Sequence, residues 1–326
     1  MSDTLYAAYN SDDNYAPYLG ASMLSLLQSN TSFSRICIYI MDCGMTEESR
    51  CNLQHIAARF GREIFFVLMQ QHIAQLDLHL GAHKMAVAAY ARLFLTQVLP
   101  EDCSRVLYID CDTIVKGSLA EIWKLPFGNA LIAGVQDTVD NYFLTAIGLE
   151  KGLPYINAGI LLVNLEAWRK ENLLAQFLGV IRRFDGNVPA HDQGTINAVC
   201  GARRIVLPVR YNLTSNLYSF SAKTIRRIYF LDSYYSQSDL DAAIADPAIV
   251  HFTTGLLGRP WEEGSTHPER QVFLDALAAT PWGALPLQPD SRYFGLKCFT
   301  FFYEHCPRGL FEFLYRNLCW MLHLRK

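Results

Sequence analysis

Val106-Leu107-Tyr108-Ile109-Asp110-Cys111-Asp112-Thr113 is the stretch on which the reading of this chain turns. Arg105–Ile109 is a short apolar run, of the kind that forms a strand buried on both faces. It stops on two carboxylates at positions i and i+2, and alternation along an extended backbone puts both on one face. Two such carboxylates repel each other unless a cation lies between them. Mg²⁺ or Mn²⁺ suits the pair, because a hard divalent ion takes carboxylate oxygens together with the phosphate oxygens of a substrate.

Outward from this stretch, Leu5–Tyr9, Arg35–Met41 and Glu63–Leu68 read as earlier strands, and Ala130–Val135 and Gly159–Val163 as later ones. Helices are expected over Pro17–Gln28, Thr46–Phe60, Met85–Val98 and Leu165–Phe184. Pro17 stands near a helix start, where its missing N–H costs least, and Glu47 and Glu48 fall in a first turn. Gln70–Ala82 shows no period and reads as a loop. Continuous apolar strands alternating with helices predict an α/β fold with a mainly parallel central sheet covered on both faces. Sheets of that kind bind ligands at the carboxyl ends of their strands. Beyond Arg203 the pattern weakens to short strands and Tyr-rich loops, with a helix over Pro268–Ala279. Pro281–Pro289 holds three prolines and one glycine and reads as a linker. A main domain over 1–280 and a linker plus tail over 281–326 are expected.

Composition narrows the classes. The 326 residues are 51% hydrophobic and 18% charged, with a net charge of −3. That excludes a disordered or collagen-like chain and a disulfide mini-scaffold. The average conceals a division: residues 292–326 carry a net charge of +4 and ten aromatic residues, and residues 1–291 carry −7. A basic, aromatic, amphipathic tail suits the surface of an anionic membrane, although a helix packed on the body with snorkelling arginines gives the same composition. Nine cysteines without a Cys-x-x-Cys pair read as reduced thiols. The Met-Ser-Asp-Thr-Leu-Tyr start lacks a basic leader, and the longest uncharged run, Asn14–Ser34, is too polar to span a bilayer. A cytoplasmic protein is expected, peripheral on the cytosolic face of the inner membrane, with no nucleic-acid partner. Gly-x-Gly-x-x-Gly, Walker A, His-Glu-x-x-His and Gly-x-Ser-x-Gly sequences are all absent. His79 and His83 flank Gly81 in an expected loop and do not read as metal ligands.

Four further clusters can carry chemistry. Tyr9-Asn10-Ser11-Asp12-Asp13-Asn14-Tyr15 follows the first strand. Its short polar side chains can hold a base or ribose and Tyr15 can stack, or the run is an Asx-rich turn capping the next helix. Tyr155-Ile156-Asn157-Ala158-Gly159 leads into a strand where Gly159 permits close backbone approach; by itself it reads as an ordinary buried strand. His191-Asp192-Gln193-Gly194 opens a helix, either as a ligand site or with Asp192 as its cap. Val250-His251-Phe252 offers a third metal ligand or a core histidine, and Arg259 a phosphate clamp.

Taken together and in order, these pieces resemble glycosyltransferase family 8, which holds bacterial lipopolysaccharide α-galactosyl- and α-glucosyltransferases and glycogenin. The likeness runs from about Leu5 to Trp261. It rests on Asp12-Asp13-Asn14-Tyr15, Ala89-Tyr90-Ala91-Arg92-Leu93, Leu107–Asp112, Tyr155–Gly159 with Asn164-Leu165 and Trp168-Arg169, Asp192-Gln193 and His251. The resemblance implies the GT-A nucleotide-diphosphosugar fold, a UDP-sugar donor and retention of anomeric configuration. It implies that Asp110, Asp112 and His251 hold Mn²⁺, with Mg²⁺ as the alternative. Asn10, Asp12, Asn14, Tyr15 and Cys111 would lie at the nucleotide. Arg92, Asn157, Asp192 and Gln193 would surround the donor sugar, and Gly255 and Arg259 would cover the phosphates. In close bacterial relatives an acid follows the Asp-Gln pair, where this sequence has Gly194. The segment from His251 to Trp261 is two residues longer than the family's, with Arg259 for lysine.

The expected activity is a metal-dependent retaining α-glycosyltransferase moving a hexose, galactose first and glucose second, from a UDP-sugar to a lipopolysaccharide-type or other lipid-linked glycan. Gln193 is the candidate polar oxygen beside the developing oxocarbenium charge, and no second carboxylate is evident at the site. One alternative is a haloacid-dehalogenase-type phosphatase, which also opens on Asp-x-Asp after a strand. Against it, Thr113 directly follows Asp112 and no Gly-Asp occurs in the chain. Another alternative is a non-catalytic sugar-nucleotide-binding protein.

Overall fold

Two-residue alternation divides the apolar strand residues between two cores. Leu5, Ala7 and Tyr9, Ile36, Ile38 and Ile40, and Leu107 and Ile109 fall in one buried cluster. Ala8, Cys37, Tyr39 and Met41, with Val106 and Tyr108, fall in the other. Each strand is therefore apolar on both faces, which requires helices on both sides of the sheet. The computed structural model describes residues 4–74 and 89–323. Its strands are β1 (Thr4–Ser11), β2 (Arg35–Asp42), β3 (Glu63–Leu68), β4 (Arg105–Ile109), β5 (Thr113–Val115), β6 (Ile132–Gln136), β7 (Ile156–Asn164), β8 (Arg204–Val206), β9 (Leu213–Thr214) and β10 (Ile249–His251). Seven form one sheet in the order β3-β2-β1-β4-β7-β6-β8, and a small second sheet has the order β5-β10-β9.

The large sheet is mainly parallel, as expected, with one reversal. β7 runs against both β4 and β6. Its first residues therefore reach the carboxyl end of β4, and the Asp110 N–H donates to Gly159 O at 2.8 Å. In the small sheet, β10 lies antiparallel to β5 and sets His251 opposite Thr113. Helices α1 (Ala16–Ser29) and α2 (Glu47–Ala58) follow the first two strands. Thr46 caps α2 by accepting from Ser49 N–H, and Asp13 accepts from both Thr46 N and Thr46 Oγ1 at 2.8 Å.

Three local expectations are corrected. Leu165–Phe184 is two helices, Leu165–Lys170 and Leu173–Arg183, separated where Asn172 turns left-handed at φ 48°, a conformation asparagine tolerates. Gln70–Ala74 is a short helix rather than loop; the rest of the expected loop, with His79 and His83, lies outside the described residues. Of the expected helix over Met85–Val98, the described part is a 3₁₀ turn at Tyr90–Phe94 followed by Leu95–Val98.

The chain from 281 onward packs on the body. Trp282 lies against Gly20 of α1, and Gln288 N–H donates to Trp261 O at 2.8 Å. Two helices follow, Phe294–His305 and Arg308–His323. Phe311 is buried and stacks near Phe220, and Glu312 accepts from Ser221 Oγ at 2.9 Å. Phe294, Phe301, Phe302, Phe313 and Leu314 are exposed. Among the described residues, no helix is long and apolar enough to cross a membrane.

Candidate active site

The site forms where β4 ends and β7 begins. Cys111 continues the face of Leu107 and Ile109 into the first core, which leaves Asp110 on the opposite face with Tyr108. Asp110 Oδ1 accepts from Tyr108 Oη at 2.7 Å and pairs with Arg92 Nη2 at 3.0 Å. Asp112 Oδ1 stands 3.2 Å from His251 Nε2, and Asp110 Oδ2 3.9 Å from the same nitrogen. One ligand atom from each of Asp110, Asp112 and His251 falls within 4.8 Å of the others.

Gly159 makes this meeting possible. A Cβ there would stand 2.3 Å from His251 Cε1 and 2.8 Å from Asp110 Oδ2. Two oxygen donors and one imidazole nitrogen, packed against a residue without a side chain, fit a divalent cation. Burial works to raise the Asp112 carboxyl, but the charge and hydrogen bond of His251, with Arg259, hold it below the ordinary range. Burial works to lower His251, and Asp112 and Asp110 raise it above its usual value. Burial pushes the Cys111 thiol well up, and its Sγ donates to Asn10 O at 3.1 Å.

The orientation of His251 is set by a chain of amides that starts at Asp137. A carboxylate only accepts, so Asp137 Oδ2 takes Asn157 Nδ2 at 2.9 Å. Asn157 Oδ1 then accepts from Asn212 Nδ2 at 2.8 Å. Asn212 Oδ1 in turn lies 2.9 Å from His251 Nδ1. Each amide is thereby fixed in one sense, Nδ1 carries the proton, and Nε2 faces the two aspartates. Outer partners of this kind orient metal ligands. Asp137 Oδ2 also accepts from Gln193 Nε2 at 3.0 Å, and Gln193 Oε1 accepts from Ala158 N–H at 2.8 Å.

Arg92 is the buried cation of the site. Besides Asp110, its Nε lies 2.8 Å from Asp192 Oδ2, and its Nη1 donates to Ala158 O at 2.5 Å. Burial opposes its charge, yet Asp110 and Asp192 keep its pKa raised. Burial likewise raises the Asp192 carboxyl against the pull of Arg92. Asp192 does not cap its helix: the N-cap is Ala190, at φ 55°.

Most of the expected residues come together. A cavity of about 260 Å³ is lined by Asn10, Asp12, Tyr15, Arg92, Asp110, Cys111 and Asp112, among others. The Asn10 side chain lies against Tyr108 Oη, and Asp12 accepts the Tyr15 N–H at 3.1 Å. Arg259 reaches back to the same place: Nη1 donates to Tyr15 Oη at 2.5 Å, and Nη2 lies 3.8 Å from Asp112 Oδ2. Two residues stand apart. Asn14 is exposed, and its side chain lies 3.5 Å from Asp12. Gly255 lies beside Asn216, outside the cavity lining. Asn212 and Asp137 were not singled out in the sequence. Asp137 is a further carboxylate at the site, a lone acid after Gln136 at the end of β6 and not one of an Asp-x-Asp pair.

Residues 7–264 match the family model described as glycosyl transferase family 8. General stress protein A of Bacillus subtilis (strain 168) is 26% identical over 277 residues, covering 84% of this chain and 93% of that protein. The lipopolysaccharide 1,3-galactosyltransferase of Salmonella typhimurium is 23% identical over 289 residues, covering 86% and 80% respectively. Among solved structures, the galactosyltransferase LgtC in complex with donor and acceptor sugar analogs superposes with a TM-score of 0.71 at 23% identity, over 86% of this chain and 98% of that one. That likeness shows the fold to be GT-A.

Proposed function

The chain belongs to glycosyl transferase family 8, and from that premise we propose a metal-dependent, retaining α-glycosyltransferase. It moves a hexose, galactose first and glucose second, from a UDP-sugar to a lipopolysaccharide-type or other lipid-linked glycan. The observation that carries this reading is the convergence of Asp110, Asp112 and His251 beside the cavity lined by Asn10, Asp12 and Tyr15. Family membership displaces the phosphatase alternative.

Asp110, Asp112 and His251 would hold the metal, for which Mn²⁺ is the first choice; when bound, it neutralises charge developing on the departing diphosphate. Arg259, tied to Tyr15 and close to Asp112, supplies a second positive charge at the same leaving group. Tyr15, Asn10 and Asp12 line the nucleotide end. Arg92, Asn157, Asp192 and Gln193 bound the sugar end.

Retention needs either an enzyme nucleophile or attack on the face the diphosphate leaves. A Cβ at position 194 would stand 1.9 Å from Pro189 O, so this backbone has no room for the acid that close bacterial relatives carry there. Asp137 accepts two side-chain amides on Oδ2 and the Thr138 N–H at 2.7 Å on Oδ1. Held by three N–H donors, Asp137 is placed to position Gln193. Same-face attack fits this arrangement, with the remaining lone pair of Gln193 Oε1 near the positive charge at the anomeric carbon.

The tail supplies the place of work. Exposed Phe294, Phe301, Phe302 and Phe313 on a positively charged segment suit peripheral attachment to an anionic membrane from the cytosolic side. The test is UDP release from a panel of UDP-hexoses with and without Mn²⁺. Metal-dependent release from UDP-galactose or UDP-glucose is expected; a folded protein that releases UDP from none of them overturns the reading.

A further inference from the structure

Beyond the donor cavity, three arginines converge on a second hollow. Arg226 and Arg227, from the helix Ala222–Ile228, and Arg316, from the helix Arg308–His323, line a cavity of about 560 Å³ with Phe230, Leu231 and Asp232. Among the described residues none of the three arginines has a carboxylate within ion-pair distance; the neighbouring acid, Glu312, is taken by Ser221 and Arg308. Asp232 lines the same cavity as the arginines, and one of its carboxylate oxygens lies 3.6 Å from where a Cβ on Gly152 would stand. Arg226 donates to the Asp232 carbonyl at 2.8 Å, and Arg316 lies over the Phe313 ring.

Three guanidinium groups against the one carboxylate of Asp232 leave the concavity net positive, and an anion between the arginines lowers their mutual repulsion. The planar fork of arginine matches the oxygens of phosphate. Phe230, on the cavity wall, is left-handed at φ 52°, a conformation rare for a bulky residue and concentrated at functional sites. Position links the hollow to the chemistry. Leu231 and Asp232 also wall a smaller cavity that contains Asp137, and Asp137 holds Gln193.

We propose that Arg226, Arg227 and Arg316 bind a phosphate group carried by the acceptor glycan, so that the acceptor is a phosphorylated sugar chain rather than a neutral one. This rests on the glycosyltransferase reading above. The test compares wild type with the double variant R227Q/R316Q. The acceptor probe is a delipidated lipopolysaccharide core oligosaccharide, used as prepared and after phosphatase treatment. Losing charged hydrogen bonds of this kind costs roughly tenfold or more in affinity. Dephosphorylation is therefore expected to raise the wild-type KM about tenfold. In the variant both forms of acceptor give that raised KM, while UDP release without acceptor stays as in wild type. Equal wild-type KM values for the two forms, or an undiminished preference in the variant, overturn the proposal. Calorimetric titration with inorganic phosphate decides the pocket without catalysis. Binding by wild type and not by the variant supports it, and absence of binding by wild type refutes it. Should UDP release itself be missing, the glycosyltransferase reading falls and the titration still judges the pocket. Flotation on phosphatidylglycerol vesicles separates the remaining source of phosphate. Lost flotation in the variant with an intact preference for phosphorylated acceptor assigns the arginines to the bilayer and overturns the proposal.

Discussion

Gly159→Ala tests the cation cradle without removing any of its ligands. The added Cβ would stand 2.3 Å from His251 Cε1, 2.9 Å from its Nδ1 and 2.8 Å from Asp110 Oδ2, where ordinary contact begins at 3.4 Å. The imidazole must therefore retreat by about 1 Å, a displacement of the size that costs roughly 10²-fold in rate. It has little room to do so, because His251 is buried in β10 and its Nδ1 is bonded to Asn212. Overpacking of a well-filled site costs about 1–3 kcal/mol, or a melting temperature lower by roughly 2–10 °C in a domain of this size. Disturbed ligation lowers metal affinity about 10–100-fold.

The assay is Mn²⁺ titration followed by electron paramagnetic resonance, alongside UDP release at saturating donor and metal. Gly179→Ala is the control. It lies in the helix Leu173–Arg183, and a Cβ there meets nothing within 4 Å, so unchanged activity and an unchanged or slightly raised melting temperature are expected. Wild-type metal affinity and rate in Gly159→Ala would refute the claim that these three side chains form a cation site closed by the β7 backbone.

Other consequences follow from the same geometry. Asp112→Asn is expected to lower metal-dependent UDP release at least 10²-fold, since it removes a ligand charge; a variant that keeps full activity removes Asp112 from the metal set. Asp137→Ala leaves the amides of Asn157 and Gln193 unanchored and is expected to lower kcat about 10–100-fold, with Asp137→Asn restoring much of it because an amide oxygen still accepts. Similar rates for all three proteins would break the proposed chain of orientation. His267 is buried, and burial pushes its pKa down to about 4, against about 6.5 when unfolded. The unfolded chain thus takes up a proton first as pH falls. The stability held by the neutral ring is full above pH 6.5 and is lost toward pH 4, a difference of about 3 kcal/mol. Urea denaturation should fall off more steeply below pH 6.5 in wild type than in His267→Gln; parallel curves would contradict this. Replacing Phe301, Phe302 and Phe313 with serine is expected to abolish flotation on anionic vesicles with the melting temperature unchanged, and undiminished flotation removes the tail from the membrane.

The fold was legible because apolar runs alternate with helices, and the metal pair because carboxylates rarely close an apolar strand without a reason. What escaped has physical causes. Side-chain alternation has the same period in either strand direction, so nothing in Ile156–Asn164 announces that β7 runs backwards. Only the pairing of Ile109 with Ile160 brings Gly159 beside Asp110. Leu165–Phe184 reads as one helix because its apolar period continues through Asn172, whose left-handed turn is a choice of backbone that the pattern does not record. Asn212 is a lone amide following Tyr211, and its importance exists only once Asn157 and His251 lie on either side of it. Asp137 is a lone acid after Gln136, without the i, i+2 partner that marks Asp110 and Asp112, so only its place at the end of β6 could have hinted at it. The two aspartates then do different work for a reason visible in their partners. Asp110 keeps Oδ2 turned toward His251 and the cation cradle. Asp137 spends both oxygens on N–H groups. Because a carboxylate can only accept, Asp137 is the fixed point from which Asn157, Asn212 and the His251 tautomer take their sense.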